Sequence, residues 1–290
     1  MKIHNLPNDL FSPAKSPDDD IIIHYYRGIT GTYKGRSILH RNAISLVIEG
    51  EKTMRFAEKT VHINDNEFHF LSSGNCLASM DLSPKKNFSS VMIFFTNTVL
   101  VDFLVKYEKR IKEAKKKFNV VSTPYLSIVK DDFIRNYINS LILLGNGASA
   151  DMKQLKFEEL MLHVLNVNPQ KLLSFQLKEH HQLQDLQIRQ AVENNISGNI
   201  TLGELAFLCN MSVSTFKRKF QKLYNTSPNK YLLQRRMEIA KDLLLYNREK
   251  PSEVYHKVGY ENHSSFSESF KNTYGLTPKD FQSQHLNSKP

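Results

Sequence analysis

The sequence predicts an α+β chain in two parts: a β-rich front shaped as a small barrel or meander and backed by a helical hairpin, then an all-helical back. Three observations carry that expectation. Residues 21–95 alternate apolar and polar or β-branched positions at the two-residue period of half-buried strands. From about Thr96 the apolar residues recur at helical spacing instead. The last third then repeats itself: FKRKFQKLYNTSP at 216–228 returns fifty positions later, at 266–278, as FSESFKNTYGLTP.

The strand segments of the front are IIIHYY, ISLVIEG, KTMRFA, TVHI, EFHFL, CLASMDL and SVMIFF. Gly50-Glu51, Asn64-Asp65-Asn66 and Ser73-Gly74-Asn75 supply turn chemistry between them, so six to eight strands are expected over 21–95. The helices of 97–170 follow in VLVDFLVKYEKRIKEA, DDFIRNYINSLILL and MKQLKFEELMLHVL, with GNGAS at 145–149 and Asn168-Pro169 as breaks. Their apolar faces suit the pairing of two copies, which predicts a homodimer. The polar FQLKEHHQLQ lacks an apolar face and gives a linker at 176–184, dividing an effector and dimerisation domain at 1–175 from a second domain at 185–290.

Charge narrows the function class. The net charge of +10 calls for an anionic partner, yet from Glu179 onward there are 15 basic and 11 acidic residues, so the front holds more than half of the excess. Two clusters are more local: KYEKRIKEAKKK at 106–117, whose alternating signs read as a solvated helix face, and Lys217 to Arg236, with seven basic residues and no acidic one. No apolar run reaches the roughly 18 residues of a membrane helix, and the opening MKIHNLPNDLF is too polar for a signal peptide, so a cytoplasmic protein with no membrane partner is expected. Cys76 and Cys209 are the only cysteines and form no CxxC, which argues against a disulfide framework or a zinc knuckle.

The repeat has internal grammar. Thr201-Leu202-Gly203-Glu204 has the form of a capping box opening a short helix to about Cys209. Asn210-Met211 turns the chain, Ser212 caps the next helix, and Phe216, Phe220 and Leu223 mark its buried face. The second copy runs from Pro251 through Val258-Gly259-Tyr260, with Asn262 as cap and Phe266, Phe270 and Tyr274 inward. Two helix-turn-helix motifs result, at 201–224 and 251–274. Ser227-Pro228 and Thr277-Pro278 each place a capping hydroxyl before a first-turn proline, and after Pro228 a long helix runs to about Tyr246, 228–246.

The tail VGYENHSSFSESFKNTYGLTPKDFQ, preceded by LAFLCNMSVSTFKRKF, resembles the DNA-binding domain of AraC-type (AraC/XylS) transcriptional regulators, specifically over about 180–285 and more loosely over the front. The resemblance implies a cupin-like β-barrel with a pair of dimerising helices at the N-terminus. It further implies a regulator, most often an activator, that binds double-stranded promoter DNA and contacts RNA polymerase. Three positions depart from the family pattern: Asn225 stands where Gly is usual, Tyr255 where a small Ala is typical, and Glu268 where many members carry a basic or amide residue.

With Phe216 and Phe220 inward, Ser214, Thr215, Lys217 and Arg218 become candidates for base or near-base contacts. Their counterparts in the second motif are His263, Ser264, Ser267 and Glu268, short or acidic, with Glu268 suited to cytosine N4 or set against the phosphates. Ser212, Lys219, Lys222, Lys230, Arg235, Arg236, Asn262 and Lys271 are phosphate candidates. A cupin-type metalloenzyme carrying a nucleic-acid module is the alternative, and a non-specific nucleoid protein a third reading. His24, His40, His62 and His69 lack the spacing of a metal site, because His62 and His69 flank a predicted turn. No enzyme activity, cofactor or metal is therefore expected, and a small-molecule or protein effector at the front domain is, its binding residues unassigned.

Overall fold

The computed structural model describes residues 3–11, 19–119, 121–145, 147–175 and 184–287. The chain forms two compact units, Met1–Gln182 and Leu183–Pro290. Most of the predicted linker, residues 176–183, lies outside the described residues.

Eight strands occupy the predicted β region of the first unit: β2 (Ile21–Gly28), β3 (Thr32–Leu39), β4 (Asn42–Glu49), β5 (Glu51–Arg55), β6 (Thr60–Ile63), β7 (Glu67–Leu71), β8 (Gly74–Asp81) and β9 (Phe88–Phe95). Two more lie outside it, β1 (Ile3–Leu6) and β10 (Tyr125–Val129). They do not close into one barrel. Five strands form a sheet in the order β1-β3-β8-β5-β6, and the other five a sheet in the order β10-β7-β4-β9-β2. The chain crosses from one sheet to the other at Gly50, whose φ of +82° is left-handed and where a Cβ would lie 2.7 Å from the Asp81 carbonyl oxygen.

The two sheets face each other as an open, cupin-like sandwich. Leu39, Met54, Val61, Ile63 and Cys76 of the first sheet meet Ile22, Ala43, Val47, Leu71, Met92 and Phe94 of the second in one apolar core. The second sheet is buried on its other face as well, which explains why all eight residues of β9 are buried and why FSSVMIFF reads as a continuous run. That outer face carries Ile44, Leu46, Phe68, Phe70, Val91 and Ile93 and is covered by helices α1 (Asn97–Lys106), α2 (Glu108–Lys117), α3 (Asp132–Leu144), α4 (Ala150–Val167) and α5 (Pro169–Ser174). The basic stretch at 106–117 behaves as a solvated face: Ile111 is the buried residue of α2, and Lys112 pairs with Glu108 at 2.7 Å.

The second unit is helical: α6 (Gln184–Glu193), α7 (Leu202–Leu208), α8 (Val213–Tyr224), α9 (Pro228–Leu245), α10 (Pro251–Lys257), α11 (His263–Tyr274) and α12 (Pro278–Asn287). The capping box at Thr201 is complete, with Thr201 Oγ1 accepting from Glu204 N and Glu204 Oε2 accepting from Thr201 N at 2.7 Å. Phe216, Phe220, Phe266 and Phe270 are fully buried, so the repeated aromatic stripe is the core of both motifs. Asn225 takes the left-handed cap conformation, φ 53°, that Gly275 takes fifty residues on, φ 80°, as an amide side chain permits. The repeat is not perfect in the turns. Four residues separate α7 from α8 and five separate α10 from α11, so the left-handed residue is Asn210 in one turn and Gly259 in the other.

Candidate nucleic-acid interface

Helix α8 starts at Ser212, whose Oγ accepts from Thr215 N and also meets Ser214 Oγ at 3.0 Å and Thr215 Oγ1 at 2.9 Å. The three hydroxyls thus form one knot at the helix start. One turn on, Lys217 and Arg218 are exposed on the side opposite Phe216 and Phe220. Ser214, Lys217 and Arg218 line a concavity of about 560 Å³, together with Leu202, Gln221, Ser227, Pro228 and Asn229. Gln221 and Asn229 were not singled out from the sequence. Gln221 follows Lys217 at i+4 on the same face and could have been, whereas Asn229 joins only because the start of α9 folds against α8.

Helix α11 repeats the arrangement with different chemistry. Asn262 Oδ1 accepts from Ser265 N at 2.9 Å, and His263, Ser264 and Glu268 are exposed. His263 Nδ1 lies 3.3 Å from Ser267 Oγ, which ties two of the predicted reading residues to each other. Tyr255 occupies the space a small residue usually leaves: its ring lies 3.8 Å from that of His256 and stands edge-on to His263 at 5.9 Å.

The predicted phosphate residues divide. Lys222, Lys230 and Lys271 are exposed, the first and last in the closing turns of α8 and α11, and Lys219 is half-buried. Arg235 is held by Glu238, Nη1 to Oε2 at 2.5 Å, a bond that raises its pKa. Arg236 departs from the sequence expectation. Its Nε donates to the Ile196 carbonyl and its Nη2 to the Gly198 carbonyl, both at 2.8 Å, and burial lowers its pKa. The helical period places Arg236 near the basic face, but a loop about forty residues earlier in the chain takes up its guanidinium.

That loop, between α6 and α7, touches both α9 and the second motif. Besides Arg236, the turn of the second motif rests on it: a Cβ on Gly259 would lie 3.0 Å from the Gly198 carbonyl oxygen and 3.1 Å from that of Ser197. Asn199 Nδ2 donates to Glu261 Oε1 at 2.9 Å beside it. The second motif is thereby fixed against the approach to the first.

A family model described as the ExsA N-terminal regulatory domain matches residues 42–175, and one described as a helix-turn-helix domain matches residues 205–284. The chain belongs to the AraC-type transcription regulators. The virulence regulon transcriptional activator VirF of Yersinia enterocolitica is 21% identical over 240 residues, 82% of this chain and 88% of VirF. LumQ of Photobacterium leiognathi, named a probable transcriptional regulator, is 28% identical over 111 residues, 38% of this chain and 45% of LumQ. The crystal structure of ToxT from Vibrio cholerae aligns with 91% of this chain and 98% of its own, at 13% identity and a TM-score of 0.38.

This AraC-type regulator is a DNA-binding transcription protein and not an enzyme. The metalloenzyme alternative falls with that assignment, and the histidines that invited it are dispersed. His62 Nδ1 meets Thr53 Oγ1 at 3.1 Å, His40 Nε2 meets Asn5 Oδ1 at 3.0 Å, and His69 is buried between the sheets. Among the described residues no three His, Cys, Asp or Glu side chains gather as a metal site, and no helix is long and apolar enough to cross a membrane.

Proposed function

We propose that this regulator is a sequence-specific activator that seats α8 and α11 in two successive major grooves of promoter DNA. The observation that carries the reading is the duplicated construction of the two helices. Each has a side-chain cap, a buried Phe pair and an exposed opposite face, and α9 joins them. Eighteen residues of α9 span about 27 Å at 1.5 Å per residue, commensurate with grooves that recur about every 34 Å on one face of the duplex.

In this reading Arg218 pairs with guanine O6 and N7, Lys217 reaches base or phosphate, and Ser214 and Thr215 sit at the groove edge. On α11, His263, Ser264, Ser267 and Glu268 face the second groove more weakly. Lys219, Lys222, Lys230, Lys271, Ser212 and Asn262 position the protein on phosphates, and Arg236 is withdrawn from that set. The first unit receives an effector and pairs two copies, a role supported by exposed apolar residues on its helices, Val105 on α1 and Leu155 on α4. Contact with RNA polymerase and a cytoplasmic location complete the proposal, in keeping with the activator role of VirF.

The test is the Arg218→Ala variant on a mapped operator. A bidentate base contact predicts a loss of about 1–3 kcal/mol on the specific site and little change on random duplex. Equal losses on both would make Arg218 a phosphate contact and remove the specificity claim at its best-placed residue.

A further inference from the structure

The positive charge of the first unit is gathered at one helix. Residues 106–117 hold seven basic and two acidic side chains, whereas the rest of the chain ahead of Glu179 holds 17 basic and 16 acidic and is close to neutral. The stretch spans the end of α1 and all of α2. Helix α2 turns Ile111 fully and Ala114 partly toward the protein, Ile111 joining the core behind the second sheet. Lys109, Arg110, Lys112, Lys115, Lys116 and Lys117 are all exposed.

Few of these charges are neutralised within the protein. Lys106 pairs with Glu158 at 2.8 Å, and Arg110 donates to Asn166 Oδ1. Lys112 pairs with Glu108 at 2.7 Å, but the two side chains are 67% and 63% exposed, and such a pair adds little. Among the described residues no carboxylate pairs with Lys109, Lys115, Lys116 or Lys117. The helix dipole accounts for cations in the last turn, at 115–117, yet it disfavours them at 109 and 110 in the first. Lys112 also stands three residues from Lys109 and four from Lys116, spacings at which like charges destabilise a helix. A face kept for solubility would mix its signs, as the remainder of this unit does.

The arrangement fits a row of phosphates. With Ile111 inward, Lys109, Lys112 and Lys116 fall within one sector of about 60° on the outward face and span about 10 Å of helix axis. Each strand of a duplex carries a phosphate about every 3.4 Å of its axis, so about three of them lie across that length. We propose that α2 is a second DNA contact, made by the first unit on the phosphate backbone of duplex flanking the operator, with Lys109, Lys112 and Lys116 as its row and no base read. Both units belong to one chain, so a duplex held by α8 and α11 is presented to α2 at high effective concentration. An anionic membrane is the poorer occupant. A helix lying in a lipid surface buries an apolar face there, and the apolar residues of α2 face the protein. The inference rests on the seating of α8 and α11 on the operator, which brings the duplex to the protein.

The experiment measures the affinity of the full-length protein for two duplexes across a range of salt: a mapped operator trimmed to its recognised grooves, and the same operator with about two turns of random duplex added on each side. Replacing Lys109, Lys112 and Lys116 together by Gln removes three phosphate contacts. On the extended duplex the plot of log K against log salt is then expected to become shallower by about 2.7, so that between about 50 and 200 mM salt wild type loses about 40-fold more affinity than the variant. On the trimmed duplex the two proteins are expected to bind alike. Arg218→Ala weakens both duplexes, so failure of the operator reading shows in that variant and failure of this inference in the lysine variant. The triple replacement by Arg keeps the charge and is expected to keep the wild-type slope. An unchanged slope for the Gln variant on the extended duplex overturns the proposal, as does an equal change on both duplexes or the loss of slope in the Arg variant. Phosphatidylserine vesicles that bind wild type but not the Gln variant, with the DNA slope unchanged, would assign α2 to a membrane instead.

Discussion

Replacing Arg236 by methionine separates two roles that one arginine can play in a DNA-binding protein. If Arg236 holds the 196–198 loop, the substitution deletes two charge-assisted hydrogen bonds, each 2.8 Å long. Such bonds contribute about 1.5–3 kcal/mol each when intact. The Gly198 carbonyl is only partly buried and regains water in the variant, so the net loss is expected at about 2–4 kcal/mol. For a unit of roughly a hundred residues that corresponds to a fall in melting midpoint of about 10–20 °C. Affinity for DNA, measured where the variant is still folded, keeps the wild-type dependence on salt. A phosphate contact predicts the reverse: unchanged stability and a salt slope shallower by about 0.9. Arg236→Lys sharpens the contrast, because lysine restores a phosphate contact but cannot span two carbonyls. A stable Arg236→Met protein with a shallower salt slope would refute the structural role.

Three further outcomes are expected. Gly259→Ala places a side chain at φ +79° and a Cβ 3.0 Å from the Gly198 carbonyl oxygen, so it costs at least about 2 kcal/mol in urea unfolding; a neutral result would mean that the turn does not rest on that loop. His69, at about 4 when folded, stays neutral while the unfolded chain takes up a proton below pH 6.5, so stability falls as pH drops from 6.5 to 4, by roughly 3 kcal/mol. His69→Gln should flatten that part of the stability–pH curve, and equal slopes in variant and wild type would count against a buried neutral imidazole. Glu268→Gln removes an exposed carboxylate from α11 and is expected to strengthen binding to every sequence by about 0.2–1 kcal/mol, less at high salt. Selective weakening on the native operator, traced to one C·G pair, would show instead that Glu268 reads cytosine.

What the sequence made legible was local. Capping at Thr201, Ser212 and Asn262 depends on residues three apart, and the buried Phe216, Phe220, Phe266 and Phe270 depend on helical period, so both could be read directly. The strands outside 21–95 were missed for a physical reason. IHNL and YLSIV are short, and their partners are distant: β1 pairs in parallel with β3, and β10 antiparallel with β7. Arg236 lies beyond local reasoning too, since its partners are about forty residues away. The same holds within the second sheet, where nothing in the spacing of Ser45, His69 and Met92 announces that strand register sets Ser45 opposite both of the others.

The middle of the second sheet, β9 above all, is wetted on neither side, and that has a mechanical consequence. Along β7, His69 and Leu71 point into one core while Phe68 and Phe70 point into the other, and the Phe70 ring lies 5.4 Å from that of Phe175, just beyond the end of α5. A strand threaded through two close-packed interiors has no slack on either side. Any push from between the sheets is therefore delivered to the helices behind them, with the alternation of the strand as the lever.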